Sequence, residues 1–263
     1  MLNILITGAA SGIGKAVKEM FLKNNHFVYA LDINDIENEK NLKTFKCDIT
    51  NEANLREIKA YFINNNIKLD IILNIAGIHT MASLIESDYQ QIKKIIDINL
   101  CGTILVNNIF HSVLKEKGRI VIITSEVANF DPMPFNGIYS VSKTALECYA
   151  QALRQELNLL NQKVITIRPG AIETPLSNGS IKSTNDLVEK TVIFKKQATK
   201  FNKIILKFMG KPMKPEKLAK FIYKVTMKKH PKISYAKHQN LGLLLLNILP
   251  KKMQCNIIKS LLK

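Results

Sequence analysis

Apolar residues in the first two-thirds of the chain gather in short β-branched runs. Longer stretches between the runs repeat apolar positions at helical spacing. The runs predict strands at 3–6, 27–31, 44–47, 71–74, 119–124 and 163–168. Ile120-Val121-Ile122-Ile123 is unbroken by polar residues, as expected of a parallel strand covered on both faces. Helical patterning follows each strand near a Gly, Ser, Asp or Asn, except that after Cys47 the helix begins around Asn51. Repeated βα units of this kind predict a single α/β domain over 1–263. Its architecture is a Rossmann-type, doubly wound parallel sheet with helices on both faces.

The pattern changes after Pro175. Residues 176–215 are polar and Lys-rich, punctuated by Gly179, Gly210, Pro212 and Pro215, and predict one helix around 186–207. Pro215 is placed to open another helix, with Glu216 in its first turn. Residues 240–263 read as an amphipathic C-terminal extension. The segment 241–249 is mostly apolar, interrupted by Asn247. After Pro250 a short helix carries Met253, Ile257, Ile258, Leu261 and Leu262 toward one side and Lys252, Lys259 and Lys263 toward the other. No run of about 18 apolar residues predicts a membrane span.

Charge sharpens this division. Residues 1–178 hold 18 Lys and Arg against 18 Asp and Glu. Residues 179–263 hold 20 Lys, no Arg, and three acids, Asp186, Glu189 and Glu216. The formal excess of +17 therefore sits in the last third. It is read either as a solvated basic face or as attraction to an anionic partner: an anionic membrane surface or an acidic carrier protein. The apolar part of the extension could equally cover a subunit interface or a substrate pocket. Specific nucleic-acid binding is not expected, because the basic region lacks Arg and any recognised motif. Cys47, Cys101, Cys148 and Cys255 show no zinc spacing, so no metal is predicted, and they read as reduced thiols in a cytoplasmic protein. A strand begins almost at once, so no signal peptide is read.

The candidate chemistry lies in three places. Thr7-Gly8-Ala9-Ala10-Ser11-Gly12-Ile13-Gly14 follows a strand and opens a helix, the setting in which free amides and the helix dipole hold a pyrophosphate. Asp32 ends the second strand, where an acid bonds ribose hydroxyls and repels a 2′-phosphate, so NAD is favoured over NADP. Tyr139 and Lys143 share a helix face at i,i+4, and a cation there is expected to favour phenolate. Ser125 lies upstream, and it is preferred to Thr124 because successive strand residues point to opposite faces.

With these residues in hand, the chain resembles the short-chain dehydrogenase/reductase family over roughly residues 3–176. The resemblance rests on TGAASGIG at 7–14, Asp32, Cys47-Asp48-Ile49, Asn74-Ile75-Ala76-Gly77, Asn99, Ser125, Tyr139 with Lys143, and Pro169-Gly170 with Thr174. It departs at Ile75, where the family usually has Asn, and in a Ser125–Tyr139 spacing one residue longer than the commonest. Pro134-Phe135-Asn136-Gly137-Ile138-Tyr139 resembles members acting on hydroxysteroids and other bulky lipophilic alcohols.

The resemblance implies hydride transfer with Tyr139 as general acid/base, Ser125 holding the substrate oxygen, Lys143 tuning Tyr139 and bonding the nicotinamide ribose, and Asn99 anchoring a relay water. It implies Gly8, Ser11, Gly12, Ile13 and Gly14 around the phosphates, Asp48 and Ile49 near the adenine, Asn74, Ala76 and Gly77 beside the adenosine ribose, and Pro169, Gly170, Ile172 and Thr174 near the nicotinamide. It also implies a substrate lid at 176–215, drawing on Leu176, Ile193, Phe194, Phe201, Ile204, Ile205 and Phe208, and a dimer or tetramer. The activity implied is oxidation or reduction of a lipophilic secondary alcohol or ketone. The alternatives are a 3-oxoacyl-carrier-protein-type reductase and a non-catalytic NAD-binding protein.

Overall fold

Alternate residues of the buried strands face opposite layers, and that division organises the structure. The computed structural model describes residues 1–208 and 211–263, with side chains for all of them except 177–182 and 206–208. Strands β1 (Asn3–Thr7), β2 (Phe27–Asp32), β3 (Leu42–Lys46), β4 (Leu69–Asn74), β5 (Leu114–Ile123), β6 (Lys163–Pro169) and β7 (Ser234–Lys237) form one parallel sheet in the order β3-β2-β1-β4-β5-β6-β7. Leu5, Leu31, Ile72, Ile120 and Ile122 face one layer, where α2 (Glu52–Asn64), α4 (Thr103–Phe110) and α5 (Gly137–Asn158) contribute Leu55, Phe62, Phe110 and Leu146. Ile4, Ile6, Val28, Leu73, Val121 and Ile167 face the other, against Val17 and Phe21 of α1 (Gly12–Lys23) and against α8 (Pro215–Thr226) with Leu218 and Ile222. This is the expected doubly wound α/β fold of Rossmann type.

The chain reverses direction of growth beside β1, with β2 and β3 on one side and β4 to β7 on the other. Such a switch point leaves a crevice at the strands' carboxyl ends. Between β4 and β5, α3 (Tyr89–Ile96) runs into a π-helical turn, Asp97–Gly102, before α4. Single π turns of this sort occur often at functional sites.

Several boundaries differ from expectation. β5 begins at Leu114, because polar Lys115-Glu116-Lys117 extends the strand beside a register shift in β4. β7 was not predicted; Ser-Tyr-Ala-Lys has no apolar run, and only its pairing with β6 makes it a strand. The single helix expected at 186–207 is two, α6 (Pro175–Lys190) and α7 (Lys195–Phe208). Glu86, far away in sequence, makes that break: its carboxylate accepts from the amides of Val192 (2.8 Å) and Ile193 (3.0 Å) and from the Thr191 hydroxyl (2.6 Å). These amides would otherwise continue the helix ladder. Pro215 does open a helix with Glu216 in its first turn. Helices α9 (Leu241–Ile248) and α10 (Lys251–Leu262) follow β7. No described helix is long and apolar enough to cross a membrane.

Candidate active site

Every strand end from β1 to β4 supplies part of one cleft of about 390 Å³. Gly8, Ser11, Gly12, Ile13 and Gly14 come from the turn after β1. Asp32 ends β2, Asp48 and Ile49 follow β3, and Ala76 and Gly77 follow β4. Thr174 and Pro175 close the cleft from the start of α6. Backbone packing fixes its shape. Gly8 adopts φ +69°, and a Cβ there would lie 2.8 Å from the Ala76 Cα. At Gly14 a Cβ would lie 1.9 Å from the Gly8 carbonyl oxygen, so the helix meets its own entry turn only because the side chain is missing. The Thr7 hydroxyl accepts from the amides of both Ile75 (3.1 Å) and Ala76 (3.2 Å). Ile75 therefore occupies its unusual position without loosening the turn, and its side chain packs on the core while lining the site.

Asp32 is buried, with its two oxygens accepting from the amides of Ala10 (2.9 Å) and Asn34 (2.9 Å). The carboxylate is thus held at the cleft wall by backbone donors. Lys94 of α3 also lines this cleft, a residue that sequence reasoning did not single out. An elongated groove made of close-approach glycines, a helix N-terminus and a fixed acid fits a dinucleotide.

A second pocket, about 220 Å³, continues the first. Ile13, Gly77, Ile78, Thr174 and Leu176 line both. The ends of β5 and β6 add Ser125, Pro169, Gly170 and Ile172, and the first turns of α5 add Tyr139 and Lys143. Ser125 caps the short turn Glu126–Asn129, with Oγ accepting from the Val127 amide at 3.4 Å. The same hydroxyl is hydrogen-bonded to the Tyr139 phenol. Thr124 is committed elsewhere, donating to Glu147 Oε1 at 2.7 Å.

Lys143 Nζ lies 5.9 Å from the Tyr139 ring centre and donates to the Ile123 carbonyl at 3.4 Å. Both side chains are buried. A phenol acidified by Lys143 was expected, and the pocket does the opposite. Burial pushes Tyr139 up to about 12, against the downward pull of the Ser125 hydrogen bond, and Glu126 adds to the rise. Burial likewise pushes Lys143 down to about 8. With its pKa raised this far, the Tyr139 phenol keeps its proton at neutral pH, the form that can give one up to a carbonyl oxygen.

Asn99 and Asn74 do not line either cavity. Asn99 sits in the π turn, fully buried; its Oδ1 accepts from the Ile78 amide at 2.8 Å, and its Nδ2 donates to the Ile78 carbonyl and to Ser142 Oγ. It reaches the site through Gly77: a Cβ on Gly77 would lie 3.1 Å from Asn99 Oδ1 and 3.4 Å from Lys143 Nζ. Asn74 stands behind the cleft, donating to Asn107 Oδ1 at 2.8 Å.

Two further residues enter the second pocket. His79 stacks edgewise on Tyr139, ring centres 4.4 Å apart, and its Nε2 is 2.9 Å from Asn136 Oδ1. Burial pushes His79 down to about 4, with the nearby Lys143 charge in the same direction and the Asn136 bond opposing. A histidine two residues past the Asn74–Gly77 turn was the only signal in the sequence. Of the apolar residues expected at 176–215, Leu176 and Ile205 line this pocket. Phe194, Phe201 and Ile204 join Phe135 and Leu262 in an adjoining cluster that also includes the pocket-lining Met81 and Ile205, and Ile193 is exposed. Phe208 lies outside the described side chains.

A family model described as short chain dehydrogenase matches residues 2–185. The 3-ketodihydrosphingosine reductase of Bacteroides thetaiotaomicron is 28% identical, over 87% of this chain and 84% of its own length. The NADPH-dependent 1-acyldihydroxyacetone phosphate reductase of Schizosaccharomyces pombe is 33% identical, over 66% of this chain and 61% of its own. Among solved structures, 4-hydroxyisoleucine dehydrogenase complexed with NADH superposes with a TM-score of 0.70 at 25% identity, covering 90% of this chain and 96% of that one.

Proposed function

Because the chain belongs to the short-chain dehydrogenase family, we propose that it interconverts a secondary alcohol and a ketone on a lipophilic, steroid-like or lipid-like substrate, with NAD as the preferred cofactor. The observation that carries this reading is the meeting of Ser125, Tyr139 and Lys143 in a largely apolar pocket that opens into the dinucleotide-shaped cleft. The nicotinamide cofactor supplies the hydride for reduction, or accepts it in oxidation.

In reduction, the Tyr139 hydroxyl gives its proton to the carbonyl oxygen as negative charge develops there. Ser125 Oγ donates to the same oxygen and fixes its position. The Lys143 ammonium stabilises the phenolate left on Tyr139 until a proton returns. Asn99 holds the Ile78 backbone and so the wall of the Gly77 passage, where its carbonyl and the Lys143 ammonium lie on one side. Asn99 is the residue we assign to anchor the returning proton's water. In oxidation the same proton moves the other way. Segment 176–215 acts as the lid, with Leu176 and Ile205 excluding water from the substrate.

A lipophilic substrate is supported by the apolar lining from Ile75, Ile78, Met81, Ile172 and Leu176. It is also supported by relatives named for a keto-sphingosine and an acylated dihydroxyacetone phosphate. NAD is supported by the fixed Asp32 carboxylate, which repels a 2′-phosphate. NADP is the second reading, favoured by Lys94 on the same cleft and by the cofactor in the yeast relative's name. The assembly is read as a dimer or tetramer. Tyr139→Phe tests the chemistry: turnover of hydrophobic ketones should fall by about 10³-fold or more while NADH binding, followed by its fluorescence, is kept. Substantial retained turnover would overturn the assignment.

A further inference from the structure

Helix α9 is built inside out. Leu241, Leu244, Leu245 and Ile248 recur at i, i+3, i+4 and i+7, the spacing that normally faces a core, yet all four are exposed. No residue of α9 is buried. Helix α10 continues the surface: Leu262 and Ile258 anchor it on the Phe135 cluster, while Met253, Ile257 and Leu261, four residues apart, stay exposed along one side.

The surroundings are basic. After Glu216 the chain contains 11 Lys and no acid. Lys251, Lys252, Lys259 and Lys263 belong to α10 and its end. The acids that face the hairpin from the rest of the fold are turned into bonds with it. Glu126 accepts from the Asn240 amide at 2.6 Å. Asp131 accepts from Gln254 Nε2 at 3.0 Å and lies 3.4 Å from Lys251. The Asn247 side chain in turn accepts from the Asp131 amide at 2.6 Å.

These same bonds seat the hairpin on the segment that runs from Ser125 to Tyr139. An exposed groove lies between them, lined by Leu84, Ile85, Pro134, Phe135, Phe194 and Leu262. Phe135 on its floor shares a cluster with Met81, which lines the catalytic pocket. An apolar stripe, a cationic border and a greasy groove beside the substrate chamber fit a lipid surface better than a second copy. A two-fold contact through this face would bring its lysines against each other. Nucleic acid would leave the leucines unburied.

We propose that the outward face of α9 and α10 docks on an anionic lipid bilayer, from which the enzyme takes its substrate. This rests on the reading of a lipophilic substrate given above. Leu241, Leu244, Leu245 and Ile248 enter the headgroup boundary, and the lysines meet the phosphates. The hairpin then holds the groove at the membrane surface.

The test uses the full-length protein, without substrate or cofactor, so that it is independent of turnover. Cosedimentation is measured with vesicles of phosphatidylcholine alone and of phosphatidylcholine mixed with phosphatidylglycerol. Binding should require the anionic lipid and weaken at least about fivefold between roughly 0.05 and 0.5 M salt. The variant Leu241→Asn, Leu245→Asn, Ile248→Asn should bind anionic vesicles at least about tenfold more weakly, with unchanged circular dichroism and NADH affinity. Equal or absent binding to the two vesicle types overturns the proposal. So does a dimer in sedimentation velocity that the same triple variant dissolves, since a second copy would then cover this face. Absence of turnover alongside charge-selective vesicle binding would instead count against the catalytic reading and leave the docking surface standing.

Discussion

The nucleotide cleft and the catalytic pocket adjoin, but they are made of different material. The cleft is mostly backbone: a turn whose glycines admit no side chain, amides at the start of α1, and the ends of four consecutive strands. The pocket is mostly side chains drawn from positions 79, 125, 136, 139, 143, 184 and 205. Local sequence dictates backbone shape, so the cleft can be read from a motif. The pocket exists only where distant elements converge. Its chemistry is likewise collective, since burial rather than the Lys143 charge dominates the Tyr139 phenol.

Substitutions can test this contrast. Tyr139→Phe, with its loss of turnover and retained NADH binding, should separate the two regions most sharply. The converse comes from Gly14→Ala. Its new methyl would lie 1.9 Å from the Gly8 carbonyl, so turn and helix must part, at a cost of about 3 kcal/mol in denaturant unfolding and with loss of NADH affinity. Thermal and chemical stability matching wild type would show the turn to be more pliable than its geometry implies.

Asp32→Ala removes a charged side chain that backbone amides hold at the cleft wall. The ratio of NAD to NADP affinity should drop by about tenfold, equal to ~1.4 kcal/mol, in paired titrations. No change in that ratio would pass the discrimination to Lys94.

His79 probes the side-chain half through pH. The unfolded imidazole takes up its proton near 6.5 and the folded one near 4, so the unfolded state binds more protons between those values and acid destabilises the fold. Wild type should lose ~2 kcal/mol of stability across that window, and His79→Gln should flatten the loss. The smallest effect is expected of Glu86→Gln. It should leave the sheet intact but lower the melting temperature slightly and speed proteolysis at 191–194, where the carboxylate now caps free amides.

The legible parts of the fold follow the same division. β1, β2, β4, β6 and the second half of β5 were readable because burial on both faces demands continuous apolar sequence. β7 was not, since Ser234–Lys237 owes its strand geometry to hydrogen bonds with β6. The helix at 186–207 was misread because the break is written at Glu86. Asn99 could be named as a candidate, but nothing in its own segment reveals the π turn that buries it or the Ile78 backbone that it holds. His79 and Asn136 gain meaning only when their bond is seen against the Tyr139 ring.

β7 also has a consequence for how the protein is made. The strand that seals β6 is separated from it by some of the most lysine-rich sequence in the chain, so the ribosome releases it long after its neighbour. Until β7 pairs, β6 is the edge of the sheet and its backbone donors and acceptors at Thr166–Pro169 lack the partners that the short edge strand β7 later gives them. A chain ending before Ser234 would therefore expose the longer, more apolar β6 as its edge, a surface open to pairing with another chain.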